Sequence, residues 1–152
     1  MSEVADADIV ARMAAAPAAA WERLFALADA LTEADFDVPW GGGQRTPSGA
    51  ITMPFPMYGD TVQEIRNLLG EVAVTPFDWP AWLSAHPEAL SPEAIAAAGP
   101  ATAARAATAV LRGERFSEGT IEAALRDGVF TAILERLRRW YTAEHGLSEP
   151  RP

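Results

Sequence analysis

The sequence contains no cysteine and no lysine, and only two histidines among its 152 residues. Without cysteine there is no thiol nucleophile, no disulfide and no thiolate-held zinc or iron–sulfur centre. Without lysine there is no Schiff-base chemistry and no phosphate-binding P-loop lysine. His86 and His145 stand far apart, before Pro87 and Gly146, so a histidine-rich metal site is excluded. A Ser-His-Asp triad would need one of them beside a serine, and Ser117 lies in no G-x-S-x-G elbow. An apolar run of membrane-spanning length is missing, as is a secretory leader pattern. The expectation is therefore a cytoplasmic protein without a membrane partner. No cofactor and no metal are expected either. The acid pairs Asp6/Asp8 and Asp35/Asp37 have a spacing that suits Mg²⁺, but helix starts and solvated loops carry such pairs more often.

Positive charge is scarce. Twelve arginines face 21 acids, a net charge of −9, which argues against nucleic acid as a partner because phosphate binding needs a basic face. Residues 1–100 hold four arginines against fourteen acids, and residues 101–152 hold eight against seven. Either the C-terminal half presents an arginine-rich face, or the charges form a mixed, solvated surface. Hydrophobic residues make up 49%, largely alanine, with 5 Trp and 6 Phe, enough to fill one core. One helical domain over residues 1–145 is expected, followed by a flexible tail, 146–152.

Apolar spacing predicts mainly α structure, with six or seven helices of uneven length. Ile9, Val10 and Met13 mark a first helix, and Trp21, Leu24, Phe25, Ala28 and Leu31 a second that follows Pro17. From Ala34 to Gly59 the periodicity stops, with prolines at 39, 47, 54 and 56. This reads as a long Pro/Gly-rich loop in which only Ala50–Met53 suits a short edge strand. Asp60 opens a helix expected to end at Gly70. Asp78 and Ser91 are good N-caps for two short ones, each with a proline just inside.

The region Ala103–Tyr141 is expected to be a hairpin of helices with a further helix behind it. Its stripe runs through Val110 and Leu111, then Ile121 and Leu125, then Phe130, Ile133, Leu137 and Trp140. Between the first two helices lies Arg112-Gly113-Glu114-Arg115-Phe116-Ser117-Glu118-Gly119, a polar turn with Gly113 as the helix stop and Ser117 as the next cap. In one reading Arg112 and Arg115 hold a carboxylate or phosphate, helped by backbone N–H groups of the next helix, with Glu118 as base or orienter. In the other, the charges answer helix dipoles and Glu114 and Glu118 pair with the arginines. Tyr58, Trp40, Trp79 and Trp82 flank irregular segments and suit either a pocket or a lid on the core. Asp78 is read first as a cap.

Taken together, Met53-Pro54-Phe55-Pro56-Met57-Tyr58, Phe77-Asp78-Trp79, Arg112 to Gly119, Asp127-Gly128 and Ile133 to Leu137 resemble DUF6508, an uncharacterised bacterial family of unknown function. The resemblance covers about residues 50–140. It implies a mostly helical domain bearing M-P-Y-x-x-Y, F-D-W and R-x-x-R-F-x-x-G elements in that order. Here Phe55 stands for the expected tyrosine and Ser117 for the expected cysteine, so thiol chemistry at the latter position is closed to this chain. The family supplies no activity to inherit.

The expected function is a non-enzymatic binding module. Its candidate residues are Tyr58, Asp78, Trp79, Arg112, Arg115, Phe116 and Glu118, facing a protein partner or a small anionic or aromatic ligand. One alternative is a small hydrolase or transferase using Glu118 with Asp127 or Asp78 and arginine clamps, which requires those carboxylates in one pocket. The other is a helical homo-oligomer with a purely structural interface.

Overall fold

The computed structural model describes residues 4–146. It is mainly α, as the spacing predicts, but divides the chain more finely, into nine helices among the described residues. In order these are α1 (Asp6–Ala15), α2 (Ala18–Ala30), α3 (Glu33–Phe36), α4 (Asp60–Val72), α5 (Trp79–Ala85), α6 (Pro92–Ala97), α7 (Pro100–Gly113), α8 (Thr120–Arg126) and α9 (Val129–Glu144). Two-residue strands β1 (Trp40–Gly41) and β2 (Phe55–Pro56) lie between α3 and α4.

The alanine content explains the architecture. Ten of the fourteen residues of α7 are buried, six of them alanines. A helix apolar over most of its surface belongs inside, and methyl side chains let neighbours approach its backbone closely. α1, α4, α5, α6, α8 and α9 all pack against α7. Large residues then fill one end of the core. Trp21 is buried against Phe25, Trp140 and Tyr141, with ring centroids 5.3–6.0 Å away. Its Nε1 donates to Met13 O at 3.0 Å. Full burial of each such side chain is worth roughly 1.5–3 kcal/mol. Arg136 and Arg139 donate to Ala98 O and Ala96 O, closing the C-terminal end of α6 with cations.

Two local expectations are refined. Gly70 does not end its helix, because α4 runs on to Val72. The Pro/Gly-rich stretch 34–59 is mostly irregular, as expected, but more ordered than its breakers suggest. α3 opens with a capping box between Thr32 and Asp35, and residues 39–57 then form an antiparallel arm. The expected edge strand at Ala50–Met53 is paired across this arm, with Thr52 N donating to Gln44 O, and the pairing extends beyond it. The strand residues are Phe55 and Pro56, opposite Gly41 and Trp40, and the same register continues to Arg45 opposite Ile51. Met57 N donates to Pro39 O at the root, and Thr46 N to Ala50 O near the tip. The tip is a three-residue connection, Pro47-Ser48-Gly49, with Gly49 at φ +86°, a regular hairpin solution. Gly42 is required, since its φ is +77° and a Cβ there would collide with Met53 O.

Candidate functional site

The turn after α7 has two faces, and they do different things. On one, Glu114 folds forward over the turn and is buried. Its Oε2 accepts from Gly119 N at 2.9 Å, and its Oε1 accepts from Ile121 N at 2.8 Å and from the Tyr58 hydroxyl at 2.7 Å. Tyr58 Oη in turn accepts from Glu122 N at 3.0 Å. Burial first, and the bond to Glu114 second, push the Tyr58 hydroxyl well above its ordinary pKa, so it stays protonated as a donor. Trp40 completes the contact: its Nε1 donates to Glu122 Oε2 at 2.9 Å. Its ring lies over Gly119, which has φ +97°.

This geometry revises the reading of the turn. Ser117 does not cap α8. The N-cap is Gly119, and the distant carboxylate of Glu114 takes the orphan N–H groups instead. Those donors are consumed, so they do not assist an incoming anion. Gly113 is the last residue of α7 rather than a left-handed stop, and its lack of a side chain makes room for Thr120 Cγ2, 3.2 Å from where a Cβ would sit. Glu114 does not pair with the arginines.

On the other face lies a cleft of about 340 Å³ between α5 and α7, walled by Phe77, Trp79, Arg112, Arg115 and Phe116, with Thr75 and Thr108 in its lining. Arg112 closes the last turn of α7 and is half-buried, while Arg115 is exposed. Among the described residues neither forms an ion pair, although Arg23, Arg105, Arg126 and Arg138 do. The Trp79 and Phe116 rings lie 6.0 Å apart at 44°, and Phe116 is 81% exposed. Thr108 Oγ1 accepts from Thr75 N and donates to Ala104 O. Thr75 Oγ1 accepts from a third guanidinium, that of Arg12, at 3.0 Å. Among the described residues no carboxylate lines this cleft.

Of the seven residues expected at the site, four meet here: Trp79, Arg112, Arg115 and Phe116. Tyr58 belongs to the clasp on the opposite face. Asp78 caps α5, accepting from Ala81 N at 3.1 Å. Glu118 is exposed and precedes α8 instead of lying in its first turn. Asp127 ends α8 and stands 3.6 Å from Arg126, so none of the three acids proposed for catalysis lines the cleft. Sequence reasoning missed Glu114 as a cap, and also Arg12, Thr75 and Phe77. A helix starting after glycine without a local cap was the available signal for Glu114. The other three are joined to the site by packing alone.

A second cleft, about 230 Å³, lies between Asp29, Phe36, Glu135 and Arg138. Its cation is already committed, because Arg138 donates to Asp29 and to Phe25 O and sits 5.2 Å over the Phe25 ring. No group of three or more metal-ligating side chains occurs among the described residues, and no helix there is long and apolar enough to cross a membrane.

The R-x-x-R-F-x-x-G element thus supplies both faces of one turn: Arg112, Arg115 and Phe116 to the cleft, Gly119 to the clasp. Residues 16–143 match a family of unknown function, DUF6508. The chain belongs to that family. The match begins earlier than the motifs suggest and takes in all of α2, the helix that carries Trp21. No curated protein and no solved structure matches the chain. The family therefore adds membership, and the chemistry rests on the cleft.

Proposed function

We propose that this DUF6508 chain is a non-catalytic, cytoplasmic binding module whose ligand places an anionic group beside an aromatic one in the α5–α7 cleft. One observation carries this reading. Arg112 and Arg115, without an acidic partner among the described residues, share a small concave surface with Trp79 and the exposed Phe116. Guanidinium forks suit carboxylate or phosphate oxygens, and the aromatic faces suit a flat group. Acid–base chemistry lacks support at the same place, since among the described residues its lining contains hydroxyls, guanidinium groups and rings but no carboxylate or imidazole.

The test is a thermal-shift screen of aromatic and aliphatic anions against the wild type and the Arg112→Ala/Arg115→Ala variant. A ligand at a hundredfold excess over its Kd stabilises the native state by about 2.7 kcal/mol. Aromatic anions are expected to raise the melting temperature of the wild type only. Equal shifts in both proteins, or no shift from any aromatic anion, would overturn the reading.

A further inference from the structure

The arm carries a second surface, unrelated to the cleft. Ile51, Met53, Phe55 and Met57 recur every second residue along one side of the arm, and Phe55 and Met57 lie together over Gly41 on one face. All four are uncovered, at 63%, 80%, 46% and 48% exposure. Gly41 stands opposite on that face and leaves it open. Phe55 and Met57 lie across Gly41, where a Cβ would be 2.8 Å from each side chain. The alternate residue Trp40 bonds Glu122 on α8, so the other face is the one turned to the body. A period-2 apolar stripe normally faces a core. This one faces nothing among the described residues.

Charge identifies the occupant. From Val38 to Gly59 there is no acid at all, and the single charged residue is Arg45, near the tip. Asp37 and Asp60 flank the root. Among the described residues none of these three has an ion-pair partner. An arm with a cation near its tip, carboxylates at its root and exposed apolar side chains between them is complementary to itself when turned end for end. That is the requirement of a two-fold interface, where one patch meets its own copy. The rest of the molecule, strongly acidic, repels its like, and the acid-free arm is the segment on which two copies approach most easily.

We infer that this face docks a second copy of the chain, arm against arm and antiparallel, with Arg45 of each copy beside Asp37 and Asp60 of the other. The two methionines suit such a contact because flexible thioethers fill irregular gaps. The arm measures about 20 Å from Pro39 to Arg45 at strand rise, equal in both copies, so tip reaches root.

Sedimentation velocity of the full chain over a range of concentrations, up to millimolar, tests this. The wild type should show a concentration-dependent dimer. Met53→Asp should raise the dimer Kd by about tenfold or more, because it sets a charge in the apolar middle. Arg45→Asp should weaken dimerisation, as should Asp37→Arg/Asp60→Arg, and all three changes together should restore it. Circular dichroism melting of each variant controls for folding, which exposed positions leave intact. Three results would overturn the inference: a wild type monomeric throughout, a dimer indifferent to Met53→Asp, or charge reversals that do not rescue one another. In the first case a partner of other chemistry covers the stripe. The α5–α7 cleft is untouched by these variants, so ligand binding in the monomeric forms is read separately.

Discussion

Tyr58 and Glu114, 56 residues apart in the chain, meet at 2.7 Å and join the root of the arm to the start of α8. The carboxylate has three donors and little solvent, the hydroxyl one donor and one acceptor, so each group is satisfied by the other's element. Their removal has unequal consequences, because a buried donor left without an acceptor costs more than a lost bond.

Glu114→Ala leaves Gly119 N, Ile121 N and the Tyr58 hydroxyl without their acceptor and should destabilise the fold by about 3 kcal/mol. Glu114→Gln keeps one acceptor oxygen but turns an amide NH₂ toward backbone donors, so it should recover only part of that loss. Urea denaturation of both variants measures the difference. A glutamine variant as stable as the wild type would show that the charge at the helix start contributes nothing.

The Tyr58 hydroxyl adds a pH dependence with a defined sign. Its native pKa lies above the ordinary value of 10, raised by burial and then by Glu114. Below that value both folded and unfolded forms keep the proton, and the contribution to stability is complete. Above it the unfolded chain ionises first while the native state holds its proton, so stability falls as pH rises. Tyr141, raised by burial and then by Glu22, acts in the same direction. Melting temperatures measured from pH 8 to pH 11.5 should therefore decline more steeply above pH 10 in the wild type than in Tyr58→Phe.

Gly119→Ala tests the same junction from the backbone. At φ +97° an L-residue is strained by about 1–2 kcal/mol, and the new Cβ would stand 3.0 Å from the Trp40 ring. The indole must move, and with it the bond to Glu122. The expected outcome is a loss of about 2 kcal/mol together with a shifted Trp40 Nε1–H resonance. An unshifted resonance would mean that the ring does not pack on this turn in solution.

What could be read from the sequence is what local chemistry decides. The Trp21–Leu24–Phe25 stripe is buried as its spacing requires, and Asp78 and Ser91 cap their helices through Ala81 N and Ala94 N. The arm was hidden because Pro and Gly read as breakers one residue at a time, whereas its register is set by pairings across the tip and by Gly42 yielding to the Met53 carbonyl. Half of the cleft was legible, since Arg112, Arg115 and Phe116 come from one turn. Thr75, Phe77 and Arg12 reach it only through the packing of other elements against α7, which no short spacing reveals. Glu114 looked like an ion-pair partner for its neighbours, but the donors it serves lie beyond the turn.

The cleft arginines should be nearly silent in stability. Neither has an ion-pair partner among the described residues, so Arg112→Ala and Arg115→Ala are each expected to change unfolding free energy by less than about 0.5 kcal/mol. A clear stabilisation on removing both would mark a local repulsion between like charges. A loss above about 2 kcal/mol would instead assign them to the fold.

Two core tryptophans provide the last comparison. Trp21 and Trp140 touch, with centroids 5.3 Å apart, and both are buried, yet only Trp21 finds an acceptor for its indole N–H, the Met13 carbonyl. Trp140 Nε1 is buried without a partner among the described residues. Replacing either by phenylalanine leaves a comparable void. In Trp21→Phe a satisfied hydrogen bond is lost as well, whereas Trp140→Phe removes an unsatisfied donor whose burial already costs about 1–3 kcal/mol. Trp21→Phe should therefore be the more destabilising by about 1–2 kcal/mol, read from urea midpoints at unchanged m value. Equal losses would mean that water reaches the Trp140 indole nitrogen and satisfies it.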